Sequence, residues 1–187
     1  MTSPPRQERA VRTREKILAG AVDVLVEYGY AGMTMQRVQA AAGVSRGALT
    51  HHFGSMSEIA VAAVDYIADQ QAAEIREAVI ADASVDATVQ MIHQITRRPT
   101  FLAGLQLWLA ARAQPELRSA LQPGAHRLLG QIREALTPLV GDLPEDQLAV
   151  FVDGLLSLLR GLAIGAVLRD RPEREAQVLH AWISAFR

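Results

Sequence analysis

The chain has 187 residues, no cysteine, and 19 Lys+Arg against 20 Asp+Glu, for a formal charge of −1. That length fits one domain or two small ones with a sizeable core, and the missing thiols exclude disulfides, thiolate nucleophiles and cysteine-based zinc or iron–sulfur centres. The near-neutral total argues against a nucleic-acid partner, but the charge is uneven: residues 1–57 hold seven basic and four acidic groups, and 58–187 hold twelve and sixteen.

Five of those seven cations fall between Arg6 and Lys16, which fits either a solvated tail or an arm that faces nucleic acid. The same polar segment lacks the apolar core of a signal peptide. No stretch reaches the ~18 uninterrupted apolar residues of a membrane span; the nearest, Leu155–Leu168, carries Arg160 in its middle. These features predict a cytoplasmic protein without a membrane partner.

In chain order the apolar periodicity is helical. Ile17, Leu18, Ala21, Val24, Leu25 and Tyr28 form one amphipathic stripe that Gly29 ends. Thr34 is suited to cap a short helix from Met35 to about Ala42, with Val38 inward, and Gly43 stops it. Ser45 caps a third helix whose Leu49 and Phe53 face inward, and Gly54 closes it. Ser55 and Glu58 form a capping box for a longer helix that runs towards Ala81. Asp82-Ala83-Ser84 breaks that helix, and Val85, Val89, Ile92 and Ile95 carry the next one. Further helices are predicted from Pro99, from about Glu116 to Leu136, over Glu145–Leu168 and over Pro172–Phe186, with a proline loop at 137–144. The prediction is an all-α chain of about nine helices.

Two short helices joined by Gly43-Val44-Ser45 have helix-turn-helix spacing. With Val38, Val44, Leu49 and Phe53 packed inward, Arg46, Gly47, Thr50 and His51 remain outward. Polar side chains there reach base edges in a major groove, and Gly47 lets the backbone approach closely. Arg46 is the best candidate for reading guanine, while Thr34, Ser45 and Thr50 suit phosphate.

The run from Ile17-Leu18 through Tyr28-Gly29-Tyr30, Met33-Thr34 and Val38-Gln39-Ala40-Ala41-Ala42-Gly43-Val44-Ser45-Arg46-Gly47-Ala48-Leu49-Thr50-His51-His52-Phe53 closely resembles the DNA-binding domain of TetR-family transcriptional regulators. The resemblance covers roughly residues 10–60. It implies a cytoplasmic bacterial homodimer, usually a repressor, whose N-terminal three-helix domain binds a palindromic operator. A variable C-terminal domain would bind a small effector that alters DNA affinity. The expected division is a basic flexible arm (1–9), a helix-turn-helix domain (10–57) and a ligand-binding and dimerisation domain (58–187). The expected DNA-contacting set is Thr34, Gln36, Arg37, Ser45, Arg46, Gly47, Thr50, His51 and His52. Two positions depart from the family: Thr50 stands where a Tyr is usual and Met56 where a Lys is common. The arm from Arg6 to Arg14 is placed to compensate.

The resemblance also implies a dimer interface on the last two helices. Phe151, Leu155, Leu159, Leu162, Ala166, Leu179 and Trp182 offer more apolar surface than one intramolecular face needs, and Gly154, Gly161 and Gly165 permit close approach. An ordinary core helix is the alternative. An effector pocket is expected to draw on Met91, Ile95, Phe101, Leu105, Trp108, Leu109, Arg112 and His126, with His93 as a further polar anchor, and to favour an apolar or weakly acidic molecule. The same apolar residues fit a core stripe, and Arg112 fits an ion pair with Glu116. No catalytic residue, metal site or cofactor is predicted: adjacent His51 and His52 point about 100° apart on a helix and cannot share one ion. An all-helical protein-interaction module without sequence-specific DNA binding is the other reading.

Overall fold

The computed structural model describes residues 6–81, 84–140 and 143–186. Residues 1–5 of the predicted arm, Asp82 and Ala83 of the predicted helix break and Gly141 and Asp142 of the proline loop lie outside these. The described residues form nine α-helices and two 3-10 turns, with no strand among them. In order they are α1 (Arg6–Tyr28), α2 (Met35–Ala42), α3 (Arg46–His52), α4 (Met56–Ala81), α5 (Val85–Thr96), α6 (Pro99–Ala111), α7 (Pro115–Leu136), α8 (Glu145–Ala166) and α9 (Pro172–Ser184). Of the predicted arm, residues 6–9 belong to α1.

Contacts group the chain into two compact units, one of residues 1–68 with 103–124 and one of 69–102 with 125–187. In the first, Ile17, Leu18, Ala21, Val24 and Leu25 of α1 bury against Val38 of α2, Leu49 and Phe53 at α3, and Ile59, Ala60 and Ala63 of α4. Residues 103–124 join them because Ala103, Leu107 and Ala111, each one turn apart on α6, add their small faces, and Leu117 and Leu121 of α7 close the cluster.

The second unit is built on Val85, Val89, Ile92 and Ile95 of α5, Ile132, Ala135 and Leu136 of α7, and α8 and α9. Phe151, Leu155 and Leu159 of α8 and Leu179 of α9 are almost wholly buried here. At about 1.5–3 kcal/mol for each such side chain removed from water, they are core residues of their own chain. This corrects the expectation that these four face a partner subunit: their surface is already spent. Leu162, Ala166 and Trp182 are half-buried. Gly154 also serves this core, since a Cβ there would overlap the Trp182 ring, whereas Gly161 and Gly165 face open space.

The outward stripe of α8 is different from the expected one. Val150 and Ile164 of α8 and Leu168, in the turn just past its end, are exposed at 59%, 54% and 87%, and Ser157 and Gly161 lie on the same line along the helix as Val150 and Ile164. By length and mean hydropathy Glu145–Ala166 alone among the described helices is apolar enough to cross a membrane, though Asp146, Asp153 and Arg160 interrupt it. Its apolarity has a structural use, because Phe151, Val152, Leu155, Leu156, Leu159 and Ala163 fill the core.

A polar latch joins α5 to the start of α9. His93 Nε2 donates to Glu175 Oε2 at 2.8 Å, and Arg97 donates both to that same oxygen and to Asp170. His93 and Glu175 are each only 5% exposed. The acceptor-only carboxylate fixes the proton on Nε2 of the imidazole.

Candidate nucleic-acid interface

The reading helix is held by local geometry at both ends. Gly43 sits in the left-handed region (φ 63°, ψ 34°), and its N–H and that of Val44 bond back to Ala40 and Gln39 carbonyls. That reversal needs a residue without a Cβ for conformational reasons, because no atom lies near a Cβ built at Gly43. Thr34 Oγ1 accepts from Arg37 N–H and Ser45 Oγ from Ala48 N–H, each at 3.2 Å. Each cap therefore keeps its own O–H free to donate. At the start of α4, Ser55 Oγ accepts from Glu58 N–H at 3.1 Å, while Glu58 Oε2 accepts from Gly54 N–H at 2.8 Å, one residue earlier than in the usual box.

Of the residues expected on DNA, Thr34, Gln36, Arg37, Ser45, Arg46, Gly47, Thr50 and His51 are exposed, and His52 is half-buried with its ring edge-on to His51. Two of them carry intramolecular duties that the sequence did not reveal. The Arg37 guanidinium donates to the Gly32 carbonyl and lies 4.2 Å from the centre of the Tyr28 ring, bracing α2 against the end of α1. The Thr50 hydroxyl lies within bonding distance of the Arg46 and Gly47 carbonyls (3.1 and 3.3 Å), so its proton points along α3 rather than outward. Met56 is half-buried against the first core, so an apolar contact replaces the surface cation common in the family. Arg14 stacks over Phe53 at 5.5 Å. No group of three or more His, Asp or Glu that could hold a metal ion occurs among the described residues.

Gly20 was missed by the sequence reading. A Cβ there would lie 2.6 Å from Ala42 N and 2.9 Å from Ala42 Cα, so α1 and α2 touch backbone to side-chain-free backbone. The only signal in the sequence is a glycine in the middle of a strong apolar stripe, where helix propensity would favour almost any other residue.

The residues expected to line an effector pocket do not gather within either unit. Leu105, Trp108, Leu109 and Arg112 lie in the first; Met91, Ile95, Phe101 and His126 lie in the second. Ile95 is a core residue, Leu109 is 67% exposed, and Arg112 and His126 are exposed. His93 is engaged by Glu175.

A family model described as bacterial regulatory proteins, tetR family, matches residues 17–63, and one described as tetracyclin repressor-like, C-terminal domain, matches 79–185. The chain belongs to the TetR family of transcriptional regulators. This TetR-family chain is 30% identical to the HTH-type transcriptional regulator CymR of Pseudomonas putida, over 99% of its own length and 96% of that protein. It is 32% identical to the HTH-type transcriptional repressor AcnR of Corynebacterium efficiens over 60% of its own length and 57% of the relative. A TetR-family transcriptional regulator of solved structure from Streptomyces coelicolor superposes with a TM-score of 0.68 at 19% identity, covering 94% of this chain and 99% of that one. The α2–turn–α3 unit of this TetR-family regulator is thus its DNA-binding helix-turn-helix, and family members of this kind regulate transcription rather than catalyse reactions.

Proposed function

We propose that this regulator is a cytoplasmic repressor that binds a palindromic operator as a homodimer and is released by a small-molecule effector. The observation that carries this reading is the outward face of α3. Arg46, Gly47 and His51 are exposed on a helix whose turn and caps are fully formed without them. Residues 10–57 read DNA and 58–187 sense and dimerise. The repressor relatives support the direction of control. One helix-turn-helix reads half a site, and two must lie about 34–36 Å apart on successive grooves, which requires a second copy. The exposed stripe Val150, Ile164 and Leu168 is the apolar surface that a second copy would cover.

A gel shift with the DNA flanking the protein's own gene tests the reading. Arg46→Ala is expected to weaken the specific complex by about 1–3 kcal/mol and to relax preference at one base pair per half-site. A specific shift that is indifferent to Arg46→Ala would remove α3 from base readout. Ile164→Asp with Leu168→Asp is expected to halve the mass seen by light scattering and to weaken operator binding with it; a double variant that keeps wild-type mass refutes the stripe as the interface.

With the Thr50 hydroxyl bonded along α3 and Met56 half-buried in place of a cation, backbone attraction falls more heavily on the cations of α1. Replacing Arg6 and Arg9 by Gln should lower the slope of log K against log salt by about two units, close to one for each lost phosphate contact. An unchanged slope would assign these arginines to solvent.

A further inference from the structure

The exposed positions of α8 include one narrow line. From Asp146 it steps by threes and fours through Val150, Asp153, Ser157, Gly161 and Ile164, and it ends at Leu168 in the turn beyond the helix. Steps of that size keep to one side of a helix. The backbone holds the line past Ala166, because the Arg169 N–H still donates to the Gly165 carbonyl.

The middle of the line is small without a reason in its own chain. A Cβ at Gly161 or Gly165 would meet nothing within 4 Å, and a glycine inside a helix is less favourable than an alanine. The Ser157 hydroxyl donates back to the Asp153 carbonyl at 2.8 Å, so it too presents little bulk. Interaxial distance is set by the side chains at the contact, and small ones let two helices approach closely.

The two halves of the line complement each other. Residues 145–156 carry Glu145, Asp146 and Asp153 and no basic group, whereas residues 158–169 carry Arg160 and Arg169 and no acidic one. Beside the acidic end lies a groove lined by Leu143, Asp146, Gln147, Val150, Ala185 and Phe186. At the basic end stands Leu168, which at 87% is the most exposed large apolar side chain among the described residues. These features are balanced about Ser157: Val150 and Ile164 lie seven residues before and after it, Asp146 and Leu168 eleven. Parallel packing of two such helices would set Asp153 against Asp153 and Arg160 against Arg160, and facing like charges oppose association. A two-fold axis across the helix instead brings each half against the other.

We propose that two copies pair through antiparallel α8 helices with the two-fold axis at Ser157, so that Asp153 faces Arg160 of the partner subunit on both sides of the axis. This rests on the homodimer reading above and adds its register and the residues that choose the partner. Val150 then meets the partner's Ile164, and the partner's Leu168 seats in the groove beside Asp146. Arg169 of the partner subunit reaches the acidic start of the helix. Burial lowers the Arg160 pKa and Asp153 of its own chain raises it; a second carboxylate from across the axis adds to that support.

Because the chain has no cysteine, a single introduced one reports its neighbour across the axis. In the full-length protein oxidised with copper–phenanthroline, Ser157→Cys is expected to cross-link to its own copy, as a disulfide requires Cα atoms about 4.4–6.8 Å apart. Val150→Cys and Ile164→Cys should each stay uncross-linked alone and cross-link when co-expressed. In sedimentation, Asp153→Arg and Arg160→Asp should each raise the dimer dissociation constant at least about tenfold. An equimolar mixture of those two variants should return to within about threefold of wild type, since every repelling pair becomes an attracting one. Self-cross-linking at Val150 or Ile164, none at Ser157, or a mixture of folded charge variants no better than its parts each overturns the proposal. Should either charge variant fail to fold by circular dichroism, the cysteine set decides. A monomeric wild type at micromolar concentration would overturn the homodimer reading and this register with it, whereas a dimeric wild type with the wrong cross-links would overturn the register alone.

Discussion

Gly20→Ala is expected to abolish operator binding. On helix propensity alone the change should stabilise α1 by about 1 kcal/mol. The new methyl would meet the backbone of α2, however, at 2.6 Å from Ala42 N and 2.9 Å from Ala42 Cα. A flexible side chain could swing away, but backbone in a helix can yield only by moving the helix. Overpacking of this kind costs about 1–3 kcal/mol. The displacement also carries α3 with it, because α2 passes directly into α3 through the Gly43 turn. Denaturant unfolding and gel shift should therefore fall together. Gly47→Ala makes the contrast: no atom lies within 4 Å of its added Cβ, so the fold should gain stability, and any loss of affinity would measure how closely the α3 backbone approaches DNA. Wild-type stability and binding in Gly20→Ala would show that α1 and α2 have more room than the structure gives them.

Glu175→Ala should destabilise the protein by about 3–5 kcal/mol, the usual effect of removing one member of a buried ion pair. Its carboxylate holds two donors, His93 and Arg97, and its loss leaves the buried imidazole without a partner. The same contacts set a pH dependence. Burial pushes the Glu175 pKa up, but the hydrogen bonds and charges of His93 and Arg97 outweigh it and hold the group below its ordinary value. A carboxyl with a depressed folded pKa contributes stability that is fully present above its unfolded value, about 4.3, and is lost as pH falls through the folded value. Acid unfolding should therefore steepen below about pH 4, and Glu175→Gln should flatten that limb of the profile. An acid limb identical in Glu175→Gln and wild type would show that other carboxyls govern it.

The parts of this structure that are legible in the sequence are those set by neighbours along the chain. Thr34, Gly43 and Ser45 declare the turn and both caps because each acts on backbone groups within four residues. The departures at Thr50 and Met56 are visible against the family pattern, but their consequences depend on where the hydroxyl and thioether point. In α8 the apolar residues surround the helix, so a 3.6-residue period cannot separate Phe151 and Leu155, which are core, from Val150 and Ile164, which are exposed. The partner of His93 lies 82 residues away, and no local pattern announces it.

The exposed stripe of Val150, Ile164 and Leu168 has a consequence for the cell that its chemistry alone does not state. If copies pair along this stripe, the species able to occupy both half-sites grows with the square of protein concentration below the pairing constant. A promoter under such control would respond to a threshold of expression instead of a proportional dose, and an autoregulated gene would settle near that threshold. The strength of one apolar seam would then set how much regulator a cell must make before its target gene falls silent.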